Sequence, residues 1–226
     1  MKTVPVIKGS IPEIIRNDAG LYQGDLTSYF RVAFTQAQNC NCPYHNFRHM
    51  FHVLWLCYNA CHYYQGELSQ REMRSLLVAA LFHDFNHSGM MGDDDLNIAR
   101  SIRALKKFVV AEDSEHLEGI VAIIEATQYP YTVPSEELPL CSQIIRDADL
   151  SQAFSVAWIQ QVIFGLAAEW RTKPIEVLRA QAGFLGGLSF TTEWGQQMFP
   201  PALVREKVQE AQELLNLLRE DSPTTA

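Results

Sequence analysis

SQREMRSLLVAALFHDFNH, residues 69–87, holds seven consecutive apolar residues from Leu76 to Phe82 and then a His-Asp pair. Seven apolar residues fit either a buried strand or a buried helix. The flanks favour a helix. Ser69 and Glu72 have the spacing of a capping box, Leu68 and Met73 that of a hydrophobic staple, and Ala79-Ala80 is a good helix pair. The spacing predicts a helix from 70 to about 84, apolar on every side and therefore central.

Working outward, FRHMFHVLWLCYNACHYY (47–64) reads as a second long helix, stopped by Gly66 and preceded by a break at 39–43. Residues 11–40 read as one or two amphipathic helices with Phe30, Val32, Ala33 and Phe34 in the core. Downstream, helices are predicted near 95–110, 114–127, 140–147, 150–170, 174–186 and 201–219, the last with Pro201 in its first turn. The Gly-, Met- and Asp-rich stretch 87–95 and the proline-rich stretch 129–139 read as loops, and 221–226 as a loose tail. The acidic run Asp93-Asp94-Asp95 could supply a metal ligand, but reads foremost as a solvated loop that caps the following helix. Neither sustained alternation nor an internal repeat is present. The expectation is an all-α helical bundle, one domain over 1–226.

Composition narrows the function. Apolar residues are 47% of 226, enough for one sizeable core without disulfides. The five cysteines (40, 42, 57, 61 and 141) lack zinc-finger spacing and are expected as reduced thiols in packing roles. A formal charge of −8 and the lack of any Lys/Arg run argue against long nucleic acid. Small phosphate esters remain open, because a bound divalent cation dominates its local field. Residues 1–10 do not read as a signal peptide, and no run of about 18 apolar residues suggests a membrane span. A soluble, cytoplasmic protein is expected.

Five of the seven histidines fall in two clusters, Tyr44-His45-Asn46-Phe47-Arg48-His49-Met50-Phe51-His52 and His83-Asp84-Phe85-Asn86-His87. An imidazole and a carboxylate ending a buried apolar helix are costly unless satisfied. A divalent cation would satisfy both; so would a core hydrogen bond for His83 and a helix cap for Asp84. The acids of Asp147-Ala148-Asp149-Leu150, beside Ile144 and Ile145, pose the same problem and favour the cation. Imidazole plus carboxylate leaves Zn, Mg, Mn, Fe and Ni all open.

This H…HD…D series resembles the HD superfamily of metal-dependent phosphohydrolases. It further resembles the class I cyclic-nucleotide phosphodiesterase catalytic domain. Tyr44, His45, Asn46 and His49 match its Y-H-N-x-x-H segment, and His83, Asp84, His87 and Gly89 match H-D-x-x-H-x-G. Ala148 to Ser151 match A-D-L-S, and Gln181, Gly183 and Phe184 match Q-x-G-F. The resemblance implies that His49, His83, Asp84 and Asp149 hold a first metal, with Asp84 also touching a second. It implies that His45 is the general acid and that His87 orients water. It assigns Tyr44, Asn46, Gln181 and Phe184 to substrate, with Gln181 on the base edge and Phe184 on its face.

The implied activity is hydrolysis of a phosphoester, foremost a 3',5'-cyclic nucleotide. A nucleoside monophosphate or other phosphomonoester is the alternative, and a non-catalytic nucleotide-binding domain or a di-iron oxygenase the readings of another class. Four positions depart from the family pattern: His52, Asn86 and Gln128 stand where it has acids, and Gly92 where it has Asn, with Asn97 nearby as a substitute. The three lost acids bear on the second metal and on cyclic-nucleotide specificity, and they leave the first metal's ligands intact.

Overall fold

The computed structural model describes residue 4 and residues 10–16 and 20–218; the tail at 221–226 lies outside the described residues. Eleven α-helices are present among them: α1 (Ile11–Arg16), α2 (Thr27–Gln36), α3 (Phe47–Tyr63), α4 (Gln70–Phe82), α5 (Asp94–Phe108), α6 (Leu117–Glu125), α7 (Leu140–Leu150), α8 (Gly165–Glu169), α9 (Pro174–Gly186), α10 (Glu193–Met198) and α11 (Pro201–Leu217). The fold is all-α. No single helix among the described residues is long and apolar enough to cross a membrane.

The expected capping box forms: the Ser69 hydroxyl accepts from the Glu72 backbone N–H, and the Glu72 carboxylate accepts from Ser69. Every residue of α4 from Met73 to Phe82 is buried, as an all-round apolar helix requires. α4 packs against α3, α6 and α7 in the main core, which also takes Trp194 and the thiols of Cys57, Cys61 and Cys141. A second core joins Trp158, Val162, Leu166, Val177, Leu185 and Leu215 from α8, α9, α11 and the segment before α8. Phe154 and Leu188 pack against both clusters.

Several expectations fail locally. Phe34 is 71% exposed and lies against Phe47 at the surface, because α2 turns only one face inward. Cys40 is exposed. The stretch read as one helix over 150–170 is a 3-10 turn at Ser151–Phe154, a π-helical turn at Ile159–Phe164, and α8. α10 was not foreseen. The Thr192 hydroxyl caps it by accepting from the Gly195 N–H, and its apolar anchor is the fully buried Trp194.

The two acids of α7 diverge. Asp147 turns from the site and accepts from the Thr191 and Thr192 backbone N–H groups and the Thr192 hydroxyl, at 3.0, 2.9 and 2.7 Å. It fastens the segment before α10. A Cβ at Gly195 would stand 2.3 Å from Asp147 Oδ2 and 3.1 Å from the Thr192 hydroxyl. Gly195→Ala should therefore cost about 1–3 kcal/mol, read as an urea-midpoint shift at constant m-value. An unshifted midpoint would show that the clasp yields freely.

Candidate metal centre and catalytic cluster

α3 begins at Asn46, whose side-chain oxygen accepts from the Arg48 N–H and whose amide donates to the Cys42 carbonyl, both at 2.8 Å. That cap sets the start of α3 and aims His49 inward. The structure therefore uses Asn46 as a helix cap, and its side chain is not among those lining the cavity. α4 ends at Phe82, and the chain turns through 83–86 with Asn86 at φ +64°. The Asn86 side-chain oxygen accepts from the Gln38 N–H at 2.8 Å, which anchors the turn carrying His83 and Asp84. The last turn of α7 supplies Asp149.

These three helix ends converge. His49 Nε2 lies 2.9 Å from Asp149 Oδ1, 3.3 Å from Asp84 Oδ2 and 3.4 Å from His83 Nε2. His83 Nε2 lies 3.5 Å from Asp84 Oδ2 and 3.7 Å from Asp149 Oδ1. His83 Nδ1 faces the Ala80 carbonyl at 2.9 Å, and His49 Nδ1 faces Gln152 Oε1 at 3.1 Å. Each outer partner is an acceptor, so a neutral ring keeps its proton on Nδ1 and turns the Nε2 lone pair to the centre.

Electrostatics match this geometry. Burial pushes the His49 imidazole down, but the Asp149 bond and the charges of Asp149 and Asp84 outweigh it and hold it at about 9. Burial likewise opposes ionisation of Asp84, yet the surrounding imidazoles hold its carboxyl well below the usual range. Asp84 Oδ2 is buried with no hydrogen-bond partner. A buried carboxylate oxygen left unpaired among two Nε2 atoms and a second carboxylate is the donor set a divalent cation completes. His49, His83, Asp84 and Asp149 fit such an ion.

A second cluster adjoins the first. The His45 ring is stacked on His87 at 3.8 Å, and its Nδ1 is hydrogen-bonded to Glu169 Oε1. Glu169 Oε2 accepts from the Tyr44 and His45 backbone N–H groups at 2.9 and 3.1 Å. Burial pushes Glu169 up, but these bonds and the His45 charge bring it below its ordinary value. His87 is pulled to about 4 by burial and by His45. His87 Nε2 contacts Asn97 Nδ2 at 2.9 Å, so Asn97 reaches the last histidine of the H-D-x-x-H-x-G segment.

His45, His87 and Glu169 could themselves offer ligand atoms to a cation, all within 4.8 Å of one another. Parallel rings at stacking distance do not aim their in-plane lone pairs at one point. Both His87 nitrogens are also engaged, by Asn97 and by the Gly89 N–H. The cluster is better suited to moving and orienting protons.

Glu169 was missed in the sequence. It lies 124 residues from His45 in an ordinary helical stretch, with no local signature. One indirect signal existed. Gly89 has φ +72°, and a Cβ there would meet Glu169 Cγ at 2.9 Å, so the glycine of H-D-x-x-H-x-G admits this carboxylate. Asp94 was misread as solvated. It lines the cavity and accepts from the Tyr129 N–H, and burial raises its pKa, with Asp84 and Asp149 adding to the effect.

Tyr44, His45, His49, Asp84, His87 and Asp149 line one cavity with Gln181 and Phe184; His83 is buried behind His49, with Nε2 3.4 Å from its Nε2. Gln181 Oε1 is buried without a partner, and the Phe184 and Tyr129 rings meet edge to face at 6.3 Å. His52, in an acid's usual place, is half-buried with Nε2 3.2 Å from the Ser151 hydroxyl, and burial pulls it to about 4.

Two histidines and two aspartates thus converge from three helix ends of an all-α fold, as the H…HD…D resemblance implies. Residues 44–128 match the family model for 3'5'-cyclic nucleotide phosphodiesterase, so the chain is similar over that segment to the class I catalytic domain, a phosphodiesterase hydrolase. Asp149, Gln181 and Phe184 lie beyond the matched segment. No curated protein matches the chain.

Proposed function

We propose that this chain is a metal-dependent phosphohydrolase whose foremost substrate is a 3',5'-cyclic nucleotide. The observation that carries the metal dependence is Asp84 Oδ2, buried and unpaired between His49 and His83 with Asp149 alongside. A divalent cation held by His49, His83, Asp84 and Asp149 supplies Lewis acidity toward the phosphate and lowers the pKa of water.

The chain's own residues do the rest. His45 stands beside the centre and gives a proton to the oxygen that leaves as the P–O bond breaks and water adds to phosphorus. Glu169 fixes the His45 ring through its Nδ1. His87, held neutral by burial and fixed by Asn97 and the Gly89 N–H, backs the His45 ring by stacking. The unsatisfied Gln181 Oε1 offers an acceptor to a base edge, with Phe184 and Tyr129 flanking the ring. A buried amide oxygen without a partner suits a ligand that carries hydrogen-bond donors, as a nucleobase does.

A hydrolysis panel tests the reading. The pure full chain is assayed with Zn, Mg, Mn, Fe or Ni against cyclic nucleotides, nucleoside monophosphates and generic phosphoesters. Turnover of a cyclic nucleotide above the others supports the proposal. Preference for monoesters would move the substrate, and no turnover with any metal would reject the hydrolase. His45→Ala should cut turnover about 100- to 10,000-fold with metal content unchanged. Equal turnover would remove its acid role.

A further inference from the structure

α7 presents Arg146 one helical turn before Asp149. Asp149 reaches the metal centre. Arg146 reaches a different cavity, of about 470 Å³, which adjoins the first along Tyr129, Leu150 and Phe184. The residue is 4% exposed. Its Nε donates to the Ala126 carbonyl at 2.5 Å, and its Nη1 to the Val133 carbonyl at 2.8 Å and the Ser135 hydroxyl at 3.1 Å. The guanidinium lies 3.9 Å from the Tyr131 ring centre.

Every one of those partners is neutral. Among the described residues, no carboxylate pairs with Arg146 and Nη2 has no partner. The two acids that line the cavity are committed elsewhere. Asp147 is taken by Thr191 and Thr192, and Glu136 is exposed at the rim. Burial lowers the pKa of Arg146, with Tyr131 alone opposing. A buried cation without a counter-charge is costly, and a strut between loop carbonyls does not need one. Arg74, equally buried in this chain, has its carboxylate in Asp113. Arg146 lines a cavity that Ser135 and Ser189 line as well.

We propose that this cavity is a second ligand site, which takes the anionic group of a phosphate- or carboxylate-bearing small molecule through Arg146, with the Ser135 and Ser189 hydroxyls as further donors. Guanidinium suits oxyanions through charge-assisted bonds. The site stands independently of the metal assignment.

The test is calorimetric titration of the full chain with inorganic phosphate in the presence of a chelator, which takes the metal centre out of the measurement. Saturable binding that weakens with added salt is expected. A Cβ at Gly183, on the cavity wall, meets nothing within 4 Å, so Gly183→Asp introduces a carboxylate without strain. Gly183→Asp should weaken phosphate at least tenfold at an unchanged melting temperature. Glu136→Gln should strengthen it severalfold, a response that a purely structural Arg146 would not give. Arg146→Gln should abolish binding; if that variant unfolds, Gly183→Asp decides alone. No saturable binding, or equal binding by wild type and Gly183→Asp, overturns the proposal.

Discussion

Asp84→Ala is expected to leave the protein folded and to reduce bound divalent metal, measured by elemental analysis after loading and desalting, to background. Asp84 contributes the oxygen that lies within 3.5 Å of both inward-facing imidazole nitrogens, and that oxygen has no other partner in the protein. Its removal deletes one ligand of four and half of the negative charge that offsets the ion. His49, His83 and Asp149 would remain, but a hard divalent cation held by two neutral rings and one carboxylate loses most of its advantage over water. Turnover in the hydrolysis panel should fall with the metal. Full metal retention would place the ion elsewhere, and the four-residue centre would be abandoned. Iron retained with an absorbance spectrum would instead indicate redox chemistry.

Asp113→Asn should give the largest loss of stability of any single change considered, although Asp113 is remote in sequence from every site residue. Its carboxylate is fully satisfied: Arg74 donates to both oxygens at 2.8 Å, Arg71 to Oδ1 at 2.7 Å and Tyr29 to Oδ2 at 2.7 Å. Arg74 is 1% exposed and its Nη1 also donates to the carbonyls of Gln23 and Asp25, so the cluster ties the segment before α2 to α4. The Asn variant keeps the shape and leaves the buried guanidinium with only the exposed Glu112 carboxylate, 3.5 Å away, as counter-charge. Breaking a buried pair in this way costs about 3–5 kcal/mol. For a chain of this size that is a fall of roughly 6–20 °C in melting temperature.

The pH dependence has a definite sign. Burial raises the Asp113 pKa, but the hydrogen bonds from Arg74 and Tyr29 and the charges of Arg74 and Arg71 outweigh it, and the net shift is downward. A depressed carboxyl stabilises the fold above its unfolded pKa of about 3.9, and that stability is lost as pH falls through the folded value. The gap between wild type and Asp113→Asn should be constant near neutrality and narrow below about pH 4. A pH-independent gap would show that shape rather than charge is at stake. The contrast with Asp84 is instructive: an acid with every bond made supports the fold, and an acid with one oxygen left over points to a ligand.

Much of this was legible in the chain itself. The Ser69/Glu72 box and the apolar run above it specify α4 locally, because a cap and a propensity act within a few residues. His83, Asp84 and the acids at Asp147 and Asp149 stand out because they sit at the end of apolar helical segments, where an unpaired polar group is expensive; the choice of His49 and Asp149 rests on the resemblance to the phosphodiesterase motifs. What neighbouring residues did not reveal depended on direction. Asn46 lies beside two histidines, yet its side chain folds back onto the α3 backbone. Asp94 belongs to a run of three acids that looks solvated, yet one of them turns into the cavity. Phe34 has the right character for the core and the wrong angular position on α2.

Local sequence determined the all-α character, the capped central helix and the costly His-Asp pair at its end, since period, caps and the cost of burying charge are short-range rules. Only the folded chain decided which groups meet, Glu169 on His45 across 124 residues and Asp113 on Arg74 across 39, and left an arginine one turn from Asp149 with no acid paired to it. Those pairings are set by how helices pack, and packing is a property of the assembled core that no window of neighbouring residues encodes.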